Sequence, residues 1–152
     1  MKKNIIEVGK RSHCAISMAL ETVGDKWSLL ILRDLMFTGK RSYGELQSSD
    51  EKIATNILAA RLVTLEENNI IHKQPDPSDS RRYLYYLTEK GIDLLPVVIE
   101  LMHWMSKYNP AASACTANTS AYKKDRVLLY KEMMKQLRKL HLIKDKLLIE
   151  RE

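Results

Sequence analysis

The fold is decided by residues 42–88, SYGELQSSDEKIATNILAARLVTLEENNIIHKQPDPSDSRRYLYYLT. Ser42 and Glu45 have the Ser-x-x-Glu spacing of a capping box, which predicts the start of a short helix. A polar break, SSDEK, separates this helix from a longer segment, IATNILAARLVTLEENN, whose apolar residues recur at helical spacing. A short capped helix, a polar turn and a longer helix together predict a helix-turn-helix.

The segment that follows changes from helical spacing to a strand pattern. Ile70 to Lys73 predict a short strand, DPSDS is a turn cluster, and RRYLYYLT is an aromatic-rich second strand. We therefore expect a β-hairpin over about residues 71–87, with a long polar tip and two consecutive arginines. A hairpin directly after a helix-turn-helix is a wing.

Helical patterns also flank the decisive stretch. On the N-terminal side, one helix begins near Ala15 and ends at Gly24, and a second runs from the cap Asp25 to Gly39. On the C-terminal side, a helix over 89–108 contains Pro96, which costs roughly 3 kcal/mol inside a helix and so predicts a kink or a break with a restart. A last amphipathic helix is predicted from Tyr122 to Glu150.

The predicted fold class is therefore mainly α with a small β-hairpin wing: a winged helix-turn-helix plus an extra C-terminal helix. The chain divides into an N-terminal arm (1–12), the winged helix-turn-helix domain (13–110), a linker of small polar residues (111–121) and the C-terminal helix (122–152).

Composition bounds the class of protein. The 152 residues are 45% apolar and 29% charged, as in an ordinary soluble domain, and no uncharged apolar run approaches a membrane span. The N-terminus has no apolar stretch of the secretory kind, so we predict a cytoplasmic protein with no membrane partner. The net charge of +6 comes mostly from residues 121–152, with 10 Lys and Arg against 5 Asp and Glu. A nucleic-acid surface in the main domain therefore has to come from local clustering of cations.

The predicted second helix of the helix-turn-helix, over about 54–69, has an apolar back and a small, polar front. The major groove of B-DNA is about 12 Å wide and admits one such helix. The predicted contacts on the front are Thr55, Asn56, Ala59 and Ala60. Asn56 is the best candidate for a base contact, because an asparagine can bind adenine in bidentate fashion. Arg61 either faces DNA or packs its stem across the short helix.

Two further groups of residues are candidates for the phosphate backbone. Lys40, Arg41, Ser42 and Tyr43 lie at the start of the short helix, where a phosphate can dock on the helix N-terminus. Arg81 and Arg82 lie on the wing, and because adjacent strand residues point to opposite faces, we expect only one of them to meet DNA.

Nothing in the sequence predicts an enzyme. The four histidines, His13, His72, His103 and His141, are dispersed without metal-ligand spacing, and no nucleophile elbow, phosphate loop or dinucleotide fingerprint is present. We predict no catalytic residue, no metal and no cofactor. Trp27 and Trp104 are predicted to be core or dimer-interface residues. The main alternative to a DNA-binding regulator is a protein-interaction module on the same fold, although an apolar front would suit that function better.

Several stretches resemble the HxlR-type transcriptional regulators, relatives of the MarR group. They are CAISMALETVGDKWSLLILRDL (14–35), SYGEL (42–46), EKIATNILAARL (51–62), LEENNII (65–71) and YYLTEKGIDLLPV (85–97), with G-x-K-W-x-L-L-I-L-R from Gly24 to Arg33 the most specific. The resemblance covers roughly residues 13–108. It implies a dimeric transcription factor whose main domain binds DNA and dimerises. The chain departs from the family at Ala15, where a proline is common, and in its longer C-terminal part.

A homodimer on double-stranded DNA is the expected assembly. Two symmetric recognition helices about 34 Å apart would contact a near-palindromic operator. The predicted interface combines the helix over 89–108, the N-terminal segment and the C-terminal helix. The sequence identifies no small-molecule effector.

Cys14 is a candidate redox-sensing residue. It lies at the predicted entry to the first helix, where the helix dipole and nearby Lys10, Arg11 and His13 would lower the pKa of the thiol. The family resemblance implies a sensor role for a cysteine at this place. Cys115 is a candidate resolving partner, but it lies in the part of the chain that the resemblance does not cover. The alternative is a buried small residue that packs the start of the helix.

Overall fold

The computed structural model describes residues 13–109, 111–112 and 119–142. Its elements are α1 (Ala15–Val23), α2 (Lys26–Arg33) with a π-helical turn (Asp34–Thr38), α3 (Tyr43–Gln47), α4 (Thr55–Glu67), β1 (Ile71–Asp76), β2 (Asp79–Leu87), α5 (Glu89–Ile92), α6 (Leu95–Tyr108) and α7 (Thr119–His141). The predicted fold class, mainly α with a hairpin wing, is confirmed. The predicted arm 1–12, most of the predicted linker and the predicted helical residues 143–150 lie outside the described residues.

Helix α2 lies at the centre of the core. The Asp25 carboxylate caps it by accepting hydrogen bonds from the backbone N–H groups of Trp27 and Ser28, each at 3.0 Å. Leu32 and Leu35 have no exposed surface, as the predicted central position requires. Gly39 ends the π-helical turn with φ of 72°, a left-handed conformation that glycine adopts without strain.

The helix-turn-helix forms as its local sequence predicts. The Ser42 hydroxyl accepts from the Glu45 backbone N–H and the Glu45 carboxylate accepts from the Ser42 N–H, so the capping box is complete. The inner side of α4 is buried at Leu58, Leu62 and Leu65. The two helices thus meet the core through leucines, and α4 keeps its other face for solvent.

The wing is an antiparallel pair in which Ile71 lies opposite Leu87 and Pro75 opposite Tyr83. An isolated bridge between Ser42 and Leu84 adds the chain before α3 to the other edge of β2. The base of the hairpin is therefore held by the helix-turn-helix, whereas the tip projects from it.

The segment after the wing breaks and restarts, one of the two outcomes predicted from Pro96. α5 ends at Ile92, α6 begins at Leu95, and Pro96 occupies the first turn of α6, where its missing N–H costs no helical hydrogen bond. Gly91 of α5 passes close to the chain after α4, and a β-carbon at Gly91 would lie 2.2 Å from the Ile70 carbonyl oxygen.

The last helix differs from the uninterrupted helix predicted from Tyr122. It begins at Thr119 and contains a non-helical residue, Asp125, with φ of −158° and ψ of 92°. The Asp125 carboxylate accepts the Leu128 N–H at 3.0 Å, so it caps the second half of α7. This capping bond competes with the helical conformation at Asp125 and explains the break. No helix in the described part of the chain is long and apolar enough to cross a membrane.

Candidate nucleic-acid interface

The front of α4 is exposed as its sequence predicts. Thr55, Asn56, Ala59 and Ala60 all lie at the surface, whereas Leu58 and Leu62 point into the core. The alanines add little bulk to this face, so a partner can approach the helix backbone closely. The exposed amide of Asn56 can donate and accept hydrogen bonds at the same time.

Tyr43 lies beside this face and joins α3 to α4. Its hydroxyl donates a hydrogen bond to the Thr55 carbonyl at 2.8 Å. Because Thr55 is the first residue of α4, this bond fixes the start of the exposed face relative to α3. Arg61, farther along α4, places Nη1 3.5 Å from the Asp25 carboxylate. Both side chains of this ion pair are about a third exposed, so the contact decides neither of the two alternatives predicted for Arg61.

The wing carries two exposed arginines, Arg81 and Arg82, with different surroundings. Arg81 forms an ion pair with Asp79, with 3.1 Å between Nε and the carboxylate. Arg82 lies with Arg81, Tyr83 and Tyr85 along an open groove whose opposite wall is the start of α3. The aromatic ring of Tyr83, 47% exposed, is covered by the Lys73 ammonium group at 5.6 Å. The groove therefore combines cations with exposed aromatic surface.

The residues before α3 do not share this exposure. The Lys40 ammonium group donates to Asp34 at 3.2 Å and to the Ser49 hydroxyl at 2.7 Å. The Arg41 guanidinium donates to the Leu35 carbonyl at 2.8 Å and to the Lys40 carbonyl at 2.9 Å. Ser42 is buried in its capping role. The structure thus places Lys40, Arg41 and Ser42 in the scaffold and does not bring them to the front of α4.

A carboxylate lies close to the predicted phosphate dock at the start of α3. Glu45 accepts from the backbone N–H groups of Arg41 at 2.9 Å and Ser42 at 2.8 Å. These backbone hydrogen bonds, the first from Ser42, lower the pKa of Glu45, so the group is charged at neutral pH. A phosphate at the start of α3 would be repelled by this negative charge.

A match to a family model identifies the family of this chain. The HxlR-like helix-turn-helix model matches residues 22–113, which include the helix-turn-helix, the wing and α6. The chain belongs to the HxlR-like helix-turn-helix family. The resemblance identified from the sequence motifs is thereby confirmed.

Relatives and solved structures similar to this chain include transcription regulators. The chain is 40% identical over 96 residues to an HTH-type transcriptional regulator of Mycobacterium tuberculosis, covering 63% of the chain and 60% of that relative's length. It is similar to the reduced form of the transcriptional regulator YodB from Bacillus subtilis, with a TM-score of 0.52, 29% identity and coverage of 64% and 95%. It is also similar to the redox regulator HypR in its oxidized form, with a TM-score of 0.55, 27% identity and coverage of 63% and 97%.

One network in this HxlR-like chain was not predicted from the sequence. Asp34 is 2% exposed and accepts from Lys40, from the Ser49 hydroxyl, and from Nη2 of Arg33 at 2.7 Å. Arg33 also pairs with Glu51, and its guanidinium lowers the pKa of Glu51 to about 2. Ser49 and Glu51 belong to the turn between α3 and α4, so the network fixes that turn to α2. Its only local signal is the charged pair Arg33-Asp34 within an apolar run.

Cys14 occupies the N-cap position of α1 and is exposed. The nearby backbone N–H groups of Ser17 and Ile16, in the first turn of α1, lower the pKa of the thiol. The thiol pKa is shifted in the direction predicted for a sensor, and Cys14 is exposed in the single chain, but the sensor role itself stays a prediction. The candidate partner Cys115 lies outside the described residues.

Large apolar side chains are exposed on α1, α6 and α7. They include Ile16 and Leu20 on α1, Leu101, Trp104 and Tyr108 on α6, and Val127 and Leu128 on α7. Trp104 is 59% exposed and packs against Tyr108 with 6.0 Å between ring centroids. Trp27 is half-buried against the core, as predicted. Trp104, the other predicted core or interface residue, is outside the core of the single chain.

Proposed function

We propose that this HxlR-like regulator binds double-stranded DNA sequence-specifically as a homodimer. In this proposal α4 enters the major groove and the wing contacts the flanking phosphates. The observation that carries the proposal is the exposed small-residue face of α4 beside the exposed cations of the wing. The major groove admits one α-helix, and the exposed small side chains of Ala59 and Ala60 let the backbone of α4 approach the base edges closely.

The proposed contacts follow from the surroundings of each side chain. Asn56 reads a base edge, with Thr55 beside it, and Arg82 neutralises a phosphate. Arg81 is a weaker candidate because Asp79 already balances its charge. Tyr43 supports the front of α4 through Thr55. Lys40, Arg41 and Ser42 hold the helix-turn-helix in shape, and Arg61 forms an ion pair with Asp25.

The proposed dimer buries the exposed apolar faces of α1 and α6. A single chain that exposes Ile16, Leu20, Leu101, Trp104 and Tyr108 presents the kind of surface that marks a protein–protein interface. A two-fold axis through such an interface places two copies of α4 on one side of the duplex. A spacing of about 34 Å, one turn of B-DNA, then gives a near-palindromic operator.

The experiment begins with selection of bound duplexes from a random-sequence library, followed by gel-shift titration at several salt concentrations. Asn56→Ala should weaken binding to the selected duplex by roughly tenfold or more, because a lost bidentate base contact costs about 1–3 kcal/mol. Arg82→Ala should weaken binding and reduce the dependence on salt, since one fewer phosphate is neutralised in each subunit. Lys139→Ala, which removes an exposed cation on α7, is the matched control for Arg82.

The outcome also distinguishes DNA binding from the alternative function, a protein-interaction module. If no duplex is enriched while the protein remains folded and dimeric, DNA binding is wrong and a protein-interaction module takes its place. If duplexes are enriched but both variants bind like the wild type, the assigned contact residues are wrong.

A second proposal concerns regulation through Cys14. The exposed thiol with a lowered pKa has a larger thiolate fraction at neutral pH, and the thiolate is the form that oxidants attack. Structural relatives include the redox regulator HypR, which supports the same class of response here. Hydrogen peroxide would transfer one oxygen to the thiolate, giving a sulfenic acid while the peroxide is reduced to water.

The test compares DNA affinity with and without peroxide in the wild type and in Cys14→Ser. We expect peroxide to change the affinity of the wild type and to leave Cys14→Ser unaffected. Equal responses of the two proteins would remove Cys14 from the regulation without affecting the proposal of DNA binding.

A further inference from the structure

Helix α7 lies beyond the residues that the family model matches, yet it contacts three parts of the family domain. Near its start, the Tyr122 and Tyr130 hydroxyls donate to the Glu100 carboxylate of α6 at 2.9 and 2.6 Å. Farther along, Nε of Arg138 lies 2.9 Å from the Glu89 carboxylate of α5. Its last residue, His141, reaches the base of the wing. The helix therefore joins α6 to the hairpin.

His141 completes the hydrogen bonding of a sheet edge. Nδ1 of its ring accepts the Leu87 backbone N–H at 2.8 Å, across 54 residues of sequence. Two residues earlier on the same edge of β2, the Tyr85 N–H donates to the Arg41 carbonyl at 2.8 Å. The segment before α3 pairs with this edge of β2 only at Arg41 and Ser42. His141 supplies the acceptor for the next backbone N–H along the same edge, that of Leu87. Both His141 and Leu87 are fully buried, so without the ring this backbone donor would have no water to bond.

The Nε2 side of the His141 ring faces the residues that precede α3. A neutral imidazole that accepts at Nδ1 carries its proton on Nε2, on the side of the ring that faces the Leu35 carbonyl. In this tautomer the 2.9 Å contact between Nε2 and Nη2 of Arg41 joins two donors, so it is a close contact and not a hydrogen bond. Leu35 also accepts from Arg41. Burial first, and then the Arg41 charge, lower the pKa of His141 to about 3, so the ring is neutral at physiological pH as this arrangement requires. One side chain therefore contacts the π-helical turn, the residue before α3 and the end of β2.

We propose that α7 is a strap between α6 and the wing, and that His141 is a positioning residue that sets the orientation of the wing on the helix-turn-helix. The functional part of this inference rests on the proposed DNA binding by the wing. Arg82 lies on β2, five positions before Leu87, so the angle of that strand decides where its guanidinium meets the duplex.

The first test is independent of DNA. In the wild-type protein, ¹⁵N nuclear magnetic resonance should detect a coupling between the Leu87 amide nitrogen and Nδ1 of His141 through the hydrogen bond. In His141→Ala, the Leu87 amide should exchange with solvent at least about tenfold faster, while the Leu62 amide in the buried face of α4 should not. Absence of the coupling, or unchanged amide exchange at Leu87, would refute the proposal that α7 holds the wing through His141. The coupling needs no variant, so the test survives if His141→Ala does not fold.

The second test measures the effect on DNA binding with the duplex selected from the random library. His141→Ala should weaken binding about tenfold, and the effect should nearly vanish in the Arg82→Ala background but persist in the Asn56→Ala background. His141→Gln should restore binding, because its amide offers an acceptor for Leu87 and a donor for Leu35. Lys139→Ala is the control for a change of α7 at an exposed position. An effect that adds equally to both backgrounds and is not rescued by glutamine shows a merely structural role and overturns the positioning of the wing.

The two tests fail in distinguishable ways. If the wild type binds no selected duplex, the proposed function is wrong, but the coupling and exchange measurements still decide whether His141 holds the hairpin.

Discussion

The start of α3 and the front of α4 both carry residues that the sequence assigns to DNA, but the structure gives them different surroundings. At α3, Lys40 and Arg41 donate to a buried carboxylate and to backbone carbonyls. At α4, Thr55 and Asn56 are exposed beside small residues. A basic residue next to a helix-turn-helix is therefore not always available to phosphate, because a buried carboxylate or backbone carbonyls can already hold its cationic group.

The largest effect is expected from Asp34→Ala. Removing this buried carboxylate leaves Arg33 and Lys40 without their shared partner, and breaking a buried ion pair in this way costs about 3–5 kcal/mol. We expect a loss of about 3 kcal/mol in the free energy of unfolding, measured by urea denaturation. The control is Asp50→Ala in the turn between α3 and α4, where the side chain is exposed and the change should stay within about 0.5 kcal/mol. Equal losses in the two variants would mean that the network does not support the turn.

The next effect is a pH dependence of stability from His141. Burial, the Arg41 charge and the nearby His72 lower its pKa to about 3, below the ordinary histidine value of about 6.5. Between these values the unfolded chain binds more protons, so stability is fully present above about pH 6.5 and falls with pH by at most about 1.4 kcal/mol per unit. Chemical denaturation from pH 7 to pH 5 measures the slope, and the range avoids most carboxylate titration. His141→Gln should show a shallower slope; an unchanged slope would assign the dependence to another group.

A smaller and more specific effect separates Lys40 from Arg82. Both carry one positive charge, but Lys40 is engaged by Asp34 and Ser49, whereas Arg82 is exposed on the wing. Arg82→Gln should reduce the slope of log affinity against log salt by about 0.9 per subunit, and Lys40→Gln should leave that slope unchanged. Fluorescence anisotropy with the selected duplex measures both. If Lys40→Gln also reduces the slope of log affinity against log salt, the start of α3 belongs to the DNA interface.

The smallest effect is expected from Tyr43→Phe, which removes only the hydroxyl bond to the Thr55 carbonyl. A hydrogen bond of this kind contributes about 0.5–1.5 kcal/mol, and the exposed position favours the lower part of that range. Thermal denaturation should therefore detect a small loss of stability. Tyr83→Phe, on the exposed wing, is the matched control and should change less.

The sequence predicts those features that depend on neighbouring residues. Ser42 and Glu45 form their capping box within one turn, and Pro96 determines a helix restart through its own missing N–H. The wing follows from a change in periodicity over a few residues. The front of α4 is predictable for the same reason, since the buried leucines fix which residues point away from the core.

The remaining features depend on contacts between distant segments. Nothing in the local sequence of Lys40 shows that Asp34 and Ser49 will surround it after folding. His141 appears in the sequence as one dispersed histidine, and its role arises from a contact with Leu87. The break at Asp125 is intermediate, because aspartate often caps helices but does so only when packing lets the helix start again.

The hydrogen bond from Leu87 to His141 makes the family domain of this chain dependent on α7. The donor belongs to the part of the chain that the family shares, and the acceptor belongs to the helix beyond it. Substitution cannot remove a backbone N–H except by introducing proline, which the strand would tolerate poorly. A descendant that lost the helix would have to open this sheet edge to water or evolve another acceptor at the same point. Loss of α7 would therefore leave the family domain with an unpaired backbone donor at the base of its wing.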